Sequence, residues 1–218
     1  MKYRWSVLPA QPLLAGQLAN QLKIHPLLAQ CLLNRGLSEP ERIRGFLQPR
    51  LKSLADPFLL PNMAAAVERL LLARQRNEPL VIFGDYDVDG VTSTALLLEV
   101  LRKLGWSVNY YLPRRMEEGY GLSQEAVENC LRTYPVTLFL AVDCGSTTVG
   151  SIAWLKQRGV DVIVLDHHQV STPAPDALAL VNPQLMGSAP DASLSFSELC
   201  SAGLAFKLAH AIVKRGRD

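Results

Sequence analysis

Five aspartates and two histidines stand in three short stretches, each placed where an apolar run ends. Leu80 to Phe83 leads into Gly84-Asp85-Tyr86-Asp87-Val88-Asp89-Gly90, Val136 to Val142 into Asp143-Cys144-Gly145, and Val160 to Leu165 into Asp166-His167-His168. If the first stretch stays extended, alternate side chains share a face. Asp85, Asp87 and Asp89 then point the same way in steps of about 7 Å, with Tyr86 and Val88 opposite. Gathered carboxylates repel: two unit charges about 4 Å apart cost roughly 4 kcal/mol at an effective dielectric of about 20. No Lys or Arg lies within the three stretches to offset that. Hard divalent cations favour carboxylate oxygen, and imidazole suits Mn²⁺ but not Mg²⁺. The pattern therefore predicts a metal site, for one ion or two. Asp89 or Asp143 taken singly would read as a helix N-cap; three strand ends together favour metal. Of His167 and His168, whose side chains diverge on an extended segment, one is expected to ligate metal and the other to orient a ligand or touch substrate.

A second feature adjoins the first acids. Gly90 permits a tight strand-to-helix turn, and a helix opening with Val91-Thr92-Ser93-Thr94 would present free N–H groups and a positive dipole end to a phosphate. Thr92 and Ser93 are the expected contacts. The pattern GxxxxGK[ST] is absent, so this is not a Walker loop.

These residues need a frame that brings three strand ends together. From Leu13 to Leu72 apolar residues recur at helical spacing, punctuated by prolines, which predicts several short helices and a longer amphipathic one over Asn62 to Arg76. In that helix Met63, Val67, Leu70 and Leu71 form the apolar face, with Glu68, Arg69 and Arg76 elsewhere. After Asn77 the pattern alternates. Strands are expected at Leu80–Phe83, Ser107–Leu112, Val136–Val142, Val160–Leu165 and near Ala177–Val181. Helices are expected at Val91–Leu104, Ser123–Leu131, Thr147–Gln157 and Leu199–Val213. This predicts an α/β fold with a mainly parallel, doubly wound sheet, whose sites lie at the C-terminal strand edge. Residues 1–76 are read as a small helical N-terminal region and 77–218 as the α/β domain.

The 218 residues suffice for one large domain or a medium one with a smaller companion, and 49% hydrophobic with 19% charged residues is ordinary globular usage. Wholesale disorder and a disulfide-stapled miniprotein are excluded. No apolar run approaches the roughly 20 residues of a membrane span, and Pro9, Gln11 and Pro12 interrupt the only candidate export signal. Residues 1–50 carry seven Lys or Arg against two Glu, and the rest of the chain fifteen against eighteen acids, so a basic N-terminal surface could face a polyanion or simply be solvated. Cys31, Cys130, Cys144 and Cys200 show no metal-site spacing, which fits reduced, mostly buried thiols in a cytosolic compartment.

The segments Gly84-Asp-Tyr-Asp-Val-Asp-Gly-Val-Thr-Ser-Thr94, Val142-Asp-Cys-Gly145 and Asp166-His-His168 resemble the first three motifs of the DHH phosphoesterase superfamily. The resemblance extends to its bacterial single-strand-specific 5′→3′ exonucleases through Arg35-Gly36 with Phe46-Leu47 and Pro49, through Pro113-Arg-Arg-Met-Glu-Glu-Gly-Tyr-Gly-Leu-Ser123, and through Leu199-Cys-Ser-Ala-Gly-Leu-Ala-Phe-Lys-Leu208. It implies metal ligation by Asp87, Asp89, Asp143 and His167, with Asp85 and His168 as further ligands or close supports and Asp166 holding the histidines. The implied chemistry is phosphodiester hydrolysis by metal-activated water with two Mn²⁺ or Mg²⁺ ions, bridged by Asp143. Arg115 and Tyr120 match a segment near the DNA path, suited to phosphate binding and base stacking; a surface Arg beside a structural Tyr is the plainer alternative.

The same resemblance implies single-stranded DNA as substrate, a single-strand-binding protein and a helicase as partners, no membrane, and the bacterial cytoplasm. Phe83 stands where many superfamily members place a metal-binding His, leaving Asp85 as the candidate replacement. The superfamily's fourth-motif Asp and a glycine-rich C-terminal domain would follow the last helix. The resemblance thus implies the front part of a longer enzyme, with little nuclease activity by itself. Two other functions stay open: a hydrolase of short oligonucleotides, cyclic dinucleotides or pyrophosphate, and a non-catalytic DNA-binding scaffold.

Overall fold

The computed structural model describes residues 6–186 and 196–217. Two compact units divide between Leu54 and Ala55. In the first, helices α1 (Pro12–Leu22), α2 (Pro26–Asn34) and α3 (Pro40–Leu47) each open on a proline, whose fixed φ suits the first helical turn. Ala15, Leu18, Ala19, Ala29, Leu32, Leu33 and Ile43 form their common core.

The second unit begins with α4 (Met63–Gln75) and continues through β1 (Leu80–Gly84), α5 (Val88–Lys103), β2 (Val108–Tyr111), α6 (Arg115–Glu118), α7 (Gln124–Thr133), β3 (Leu138–Val142), α8 (Val149–Gln157), β4 (Asp161–Leu165), β5 (Ala179–Val181) and α9 (Ser201–Arg215). The expected boundary at residue 76 falls too late, because α4 belongs to the core of this unit. Met63, Ala66, Val67, Leu70 and Ala73 are buried with β1, β3, β4, β5 and α9. Arg69, placed off the apolar face by its charge, is buried on α4 as well. Its Nε donates to Asp161 and its Nη2 forms an ion pair with Glu78, both at 2.6 Å, which is what lets a guanidinium leave water.

Among the described residues five strands form one parallel sheet, in the order β2-β1-β3-β4-β5. β1 and β3 are buried along their whole length, as strands covered on both faces must be. Alternate residues divide between two layers. Leu80, Ile82, Leu138, Leu140, Ile163 and Leu165 pack with α4, α5 and α9. Val81, Phe83, Phe139, Ala141, Val162 and Val164 pack with α7 and α8. The predicted doubly wound fold is therefore present, and strand order reverses at β1 and β3, the place where such sheets open a crevice at their carboxyl ends. Cys130 and Cys144 are buried as expected, while Cys31 and Cys200 are exposed.

Candidate metal centre

β1 stops at Gly84, and the next residues do not stay extended. Asp87 is the N-cap of α5, its Oδ1 accepting from the amides of Asp89 at 2.9 Å and Gly90 at 3.0 Å. The three acids of this segment therefore do not line one face as the alternation had suggested. Gly90 makes the turn possible: a Cβ there would lie 2.4 to 2.7 Å from the backbone of Asp85. Asp85 is buried, its Oδ1 accepting from the Tyr86 amide at 2.7 Å, and its Oδ2 has no partner. Asp89 sits in the first turn of α5, and its carboxylate crosses to α9, accepting from the amides of Ser201 at 2.8 Å and Ala202 at 2.9 Å.

At the end of β3, Asp143 is buried with φ +64°. A non-glycine residue in this left-handed region costs about 1–2 kcal/mol, and such strain gathers at functional sites. Its Oδ1 accepts from Ser201 Oγ at 2.7 Å and lies 3.4 Å from His167 Nε2, while Oδ2 is buried without a partner. His167 Nε2 also lies 3.7 Å from Asp89 Oδ2. Gly145, φ +112°, lets the chain turn beside Val164, whose methyls would stand 3.1 Å from any Cβ.

At the end of β4, Asp166 is a buried organiser. Its Oδ2 accepts from the Ser146 amide at 3.0 Å, and Oδ1 accepts from the amides of His167 at 2.8 Å and His168 at 3.2 Å. Oδ1 also bonds His168 Nδ1 at 2.7 Å. This is the geometry the sequence suggests for Asp166, a holder of the histidines. One ligand atom each from Asp143, His167 and His168 lies within 4.8 Å of the other two.

Charge describes the centre further. Burial pushes the Asp143 carboxyl up to about 7, against the lowering effect of the Ser201 hydroxyl, and the nearby carboxylates of Asp87 and Asp89 add to the rise. Burial likewise raises Asp85. The Gly90 amide holds Asp87 below the usual carboxylate range. Burial pulls the His168 imidazole down, but the Asp166 carboxylate outweighs it and keeps it above its ordinary value. Among the described residues no ion pair joins Asp85, Asp87, Asp89 or Asp143 to a Lys or Arg. The centre holds acidic oxygens that lack both hydrogen-bond donors and a balancing cation, the condition a divalent ion relieves.

The residues read as DNA contacts fare differently. Arg115 and Tyr120 are exposed and meet across Tyr86, with the guanidinium 4.9 Å from the Tyr86 ring centre and the Tyr120 ring edge-on at 6.0 Å. Tyr120 also lines a cavity of about 460 Å³ with Leu122, Asp143, Thr148, His168 and Gln169. Ser93 is not such a contact. It is fully buried, and its hydroxyl donates to the Asp89 carbonyl at 2.6 Å. Thr92 is exposed but spends its hydroxyl on the Val88 carbonyl at 2.7 Å. Both hydroxyls serve the helix from which they project, a common use of Ser and Thr inside helices.

Phe83, at the position that the resemblance assigns to a histidine in many superfamily members, stacks between Tyr111 and Phe139 in the α7–α8 layer. Four residues of the site went unassigned in the sequence: Tyr86, Ser146, Asn182 and Ser201. Asn182 follows β5, is fully buried, and donates to Ser146 Oγ and to the His168 carbonyl, both at 2.8 Å. A polar residue at the carboxyl end of a fifth buried strand was the signal that could have revealed it.

A parallel α/β sheet with carboxylates and paired histidines gathered at its switch point defines the protein as a doubly wound α/β protein with a centre suited to hard divalent metals. Residues 79–218 match the DHH family, N-terminal domain, and the chain belongs to that family. It is 37% identical over 97% of its length to the single-stranded-DNA-specific exonuclease RecJ of Bacillus subtilis, of which it covers 26%. RecJ from Thermus thermophilus in complex with Mn²⁺ superimposes with a TM-score of 0.75 at 32% identity, over 98% of this chain and 29% of that one. The Mg²⁺ complex of the same protein gives 0.62 at 27% identity, covering 98% and 25%. The RecJ relatives from B. subtilis and Haemophilus influenzae illustrate the difference in length: the chain spans 26% and 34% of them.

Proposed function

We propose that this chain forms the metal-binding part of an exonuclease that hydrolyses single-stranded DNA from the 5′ end. The observation that carries the reading is the convergence of Asp143, His167 and His168, with Asp89 3.7 Å from His167 and the Oδ2 atoms of Asp85 and Asp143 buried and unpartnered. Asp85, Asp87, Asp89, Asp143 and His167 would hold Mn²⁺ or Mg²⁺. Bound there, the ions supply an activated water and charge stabilisation at the attacking and leaving oxygens of the phosphodiester.

The chain's own residues prepare that chemistry. Asp166 fixes the His168 ring through Nδ1, which leaves Nε2 as the nitrogen available to a ligand. His167 presents Nε2 toward both Asp143 and Asp89. Arg115, packed on Tyr86, offers a bidentate phosphate contact, and Tyr120 offers a ring for a base in the cavity that Asp143 and His168 also line. Likeness to the family alone extends the reading to DNA repair and recombination in the bacterial cytoplasm, with a single-strand-binding protein and a helicase as partners. Among the described residues no helix is long and apolar enough to cross a membrane.

Fluorescence anisotropy with a labelled single strand in Mn²⁺ tests the substrate side. Tyr120→Ala should weaken binding by about 1–3 kcal/mol, the worth of a stacked base, and Arg115→Ala should weaken it and flatten its salt dependence. Equal binding of duplex and single strand, unaffected by either change, would count against single-stranded DNA.

A further inference from the structure

The first turn of α9 meets the centre in a way that the proposed chemistry does not use. The Ser201 and Ala202 amides hold Asp89, which arrives from α5, and the Ser201 hydroxyl holds Asp143, which arrives from β3. Ser201 is fully buried. Its hydroxyl is not needed to cap its own helix. The N-cap residue, Cys200, makes no capping bond through its side chain, and Asp89 satisfies the two amides. The hydroxyl is instead given to Asp143 Oδ1, leaving Oδ2 as the oxygen without a partner.

We infer that Ser201 is a positioning residue for the metal centre: its hydroxyl fixes the Asp143 carboxylate beside His167 Nε2 and keeps its unpartnered oxygen for an ion. The inference rests on the metal-binding reading above. A carboxylate at the end of a strand can turn about its Cα–Cβ and Cβ–Cγ bonds, and a charge-assisted hydrogen bond from a buried, helix-borne donor removes that freedom before the ion arrives. Donors of this kind behind ligating side chains typically contribute 10–100-fold to metal affinity.

The test is Mn²⁺ titration by calorimetry, with thermal melts in EDTA, on the wild type, Ser201→Ala, Ser201→Thr and Leu204→Ala. Leu204 is fully buried on the same helix, in the apolar layer that α9 shares with α4 and α5. Ser201→Ala should bind Mn²⁺ about 10–100-fold more weakly, and Ser201→Thr, which keeps the hydroxyl, should recover most of the loss. Leu204→Ala should melt lower and keep wild-type affinity. If Ser201→Ala binds as the wild type does, or Leu204→Ala loses as much affinity, Ser201 has no positioning role while the metal reading stands. If the wild type takes up no Mn²⁺, both fall together.

Discussion

Asp166 Oδ1 lies 2.7 Å from His168 Nδ1 and also accepts from the amides of both histidines, so one buried carboxylate sets the backbone and one imidazole of the pair. Burial pushes this carboxyl up, but the bonds from Ser146 and His168 more than offset it and hold it below the usual carboxylate range. The consequence is a role at one remove from the metal. Asp166→Asn should weaken Mn²⁺ binding by about 10–100-fold through loss of the imidazole's orientation. Calorimetric titration of the variant checks this, and wild-type affinity would show that His168 needs no holder.

The turn carrying Tyr120 depends on Glu118, which is buried and accepts from the Tyr111 hydroxyl, the Asn129 amide group and, at 2.7 Å, the Arg114 backbone amide. Burial raises its carboxyl, yet these donors hold it below the ordinary glutamate value. A folded pKa below the unfolded one, about 4.3, means that the carboxylate stabilises the fold fully above that pH. The contribution disappears as pH falls through the lower folded value. Glu118→Gln should therefore cost about 1–3 kcal/mol at pH 7, and the gap to wild type should narrow toward pH 3. Urea unfolding in EDTA across that range measures it, and a pH-independent gap would contradict the sign.

Gly90 is where the first acidic segment is most easily broken. A methyl at this position would overlap the Asp85 backbone at 2.4 Å, with no flexible side chain to give way. Gly90→Ala should displace the start of α5 and with it Asp87 and Asp89. Loss of Mn²⁺ binding together with a melting temperature lowered by several degrees is the expected outcome, and a variant with both unchanged would show that the turn has more room than its backbone suggests.

Much of this arrangement was legible in the residues because buried parallel strands write themselves as short apolar runs, and the polar residue that ends each run marks the sheet's carboxyl edge. Asp143, Asp166, His167 and His168 were found by that rule alone. It failed where local hydrogen bonding overrode extension. Asp87 captures two amides and starts α5 at Val88, three residues before the expected Val91, which rotates Asp89 away from Asp85 and Asp87. Long-range partners were also hidden. Ser201 is 112 residues from Asp89 and 58 from Asp143, and no periodicity in the chain announces such a meeting. Arg69 shows the same limit, since a charge that looks solvent-facing on a helical wheel can be buried between Glu78 and Asp161.

The central claim is that Asp143 anchors a divalent metal centre, and Mn²⁺ uptake by the wild type and Asp143→Ala, followed by calorimetry and by the electron paramagnetic signal of free Mn²⁺, tests it most directly. Saturable binding by the wild type is expected, and Asp143→Ala should weaken it by more than about 100-fold, since a ligand matters more than the 10–100-fold typical of its supports. Equal uptake by both proteins, or none by the wild type, would contradict it.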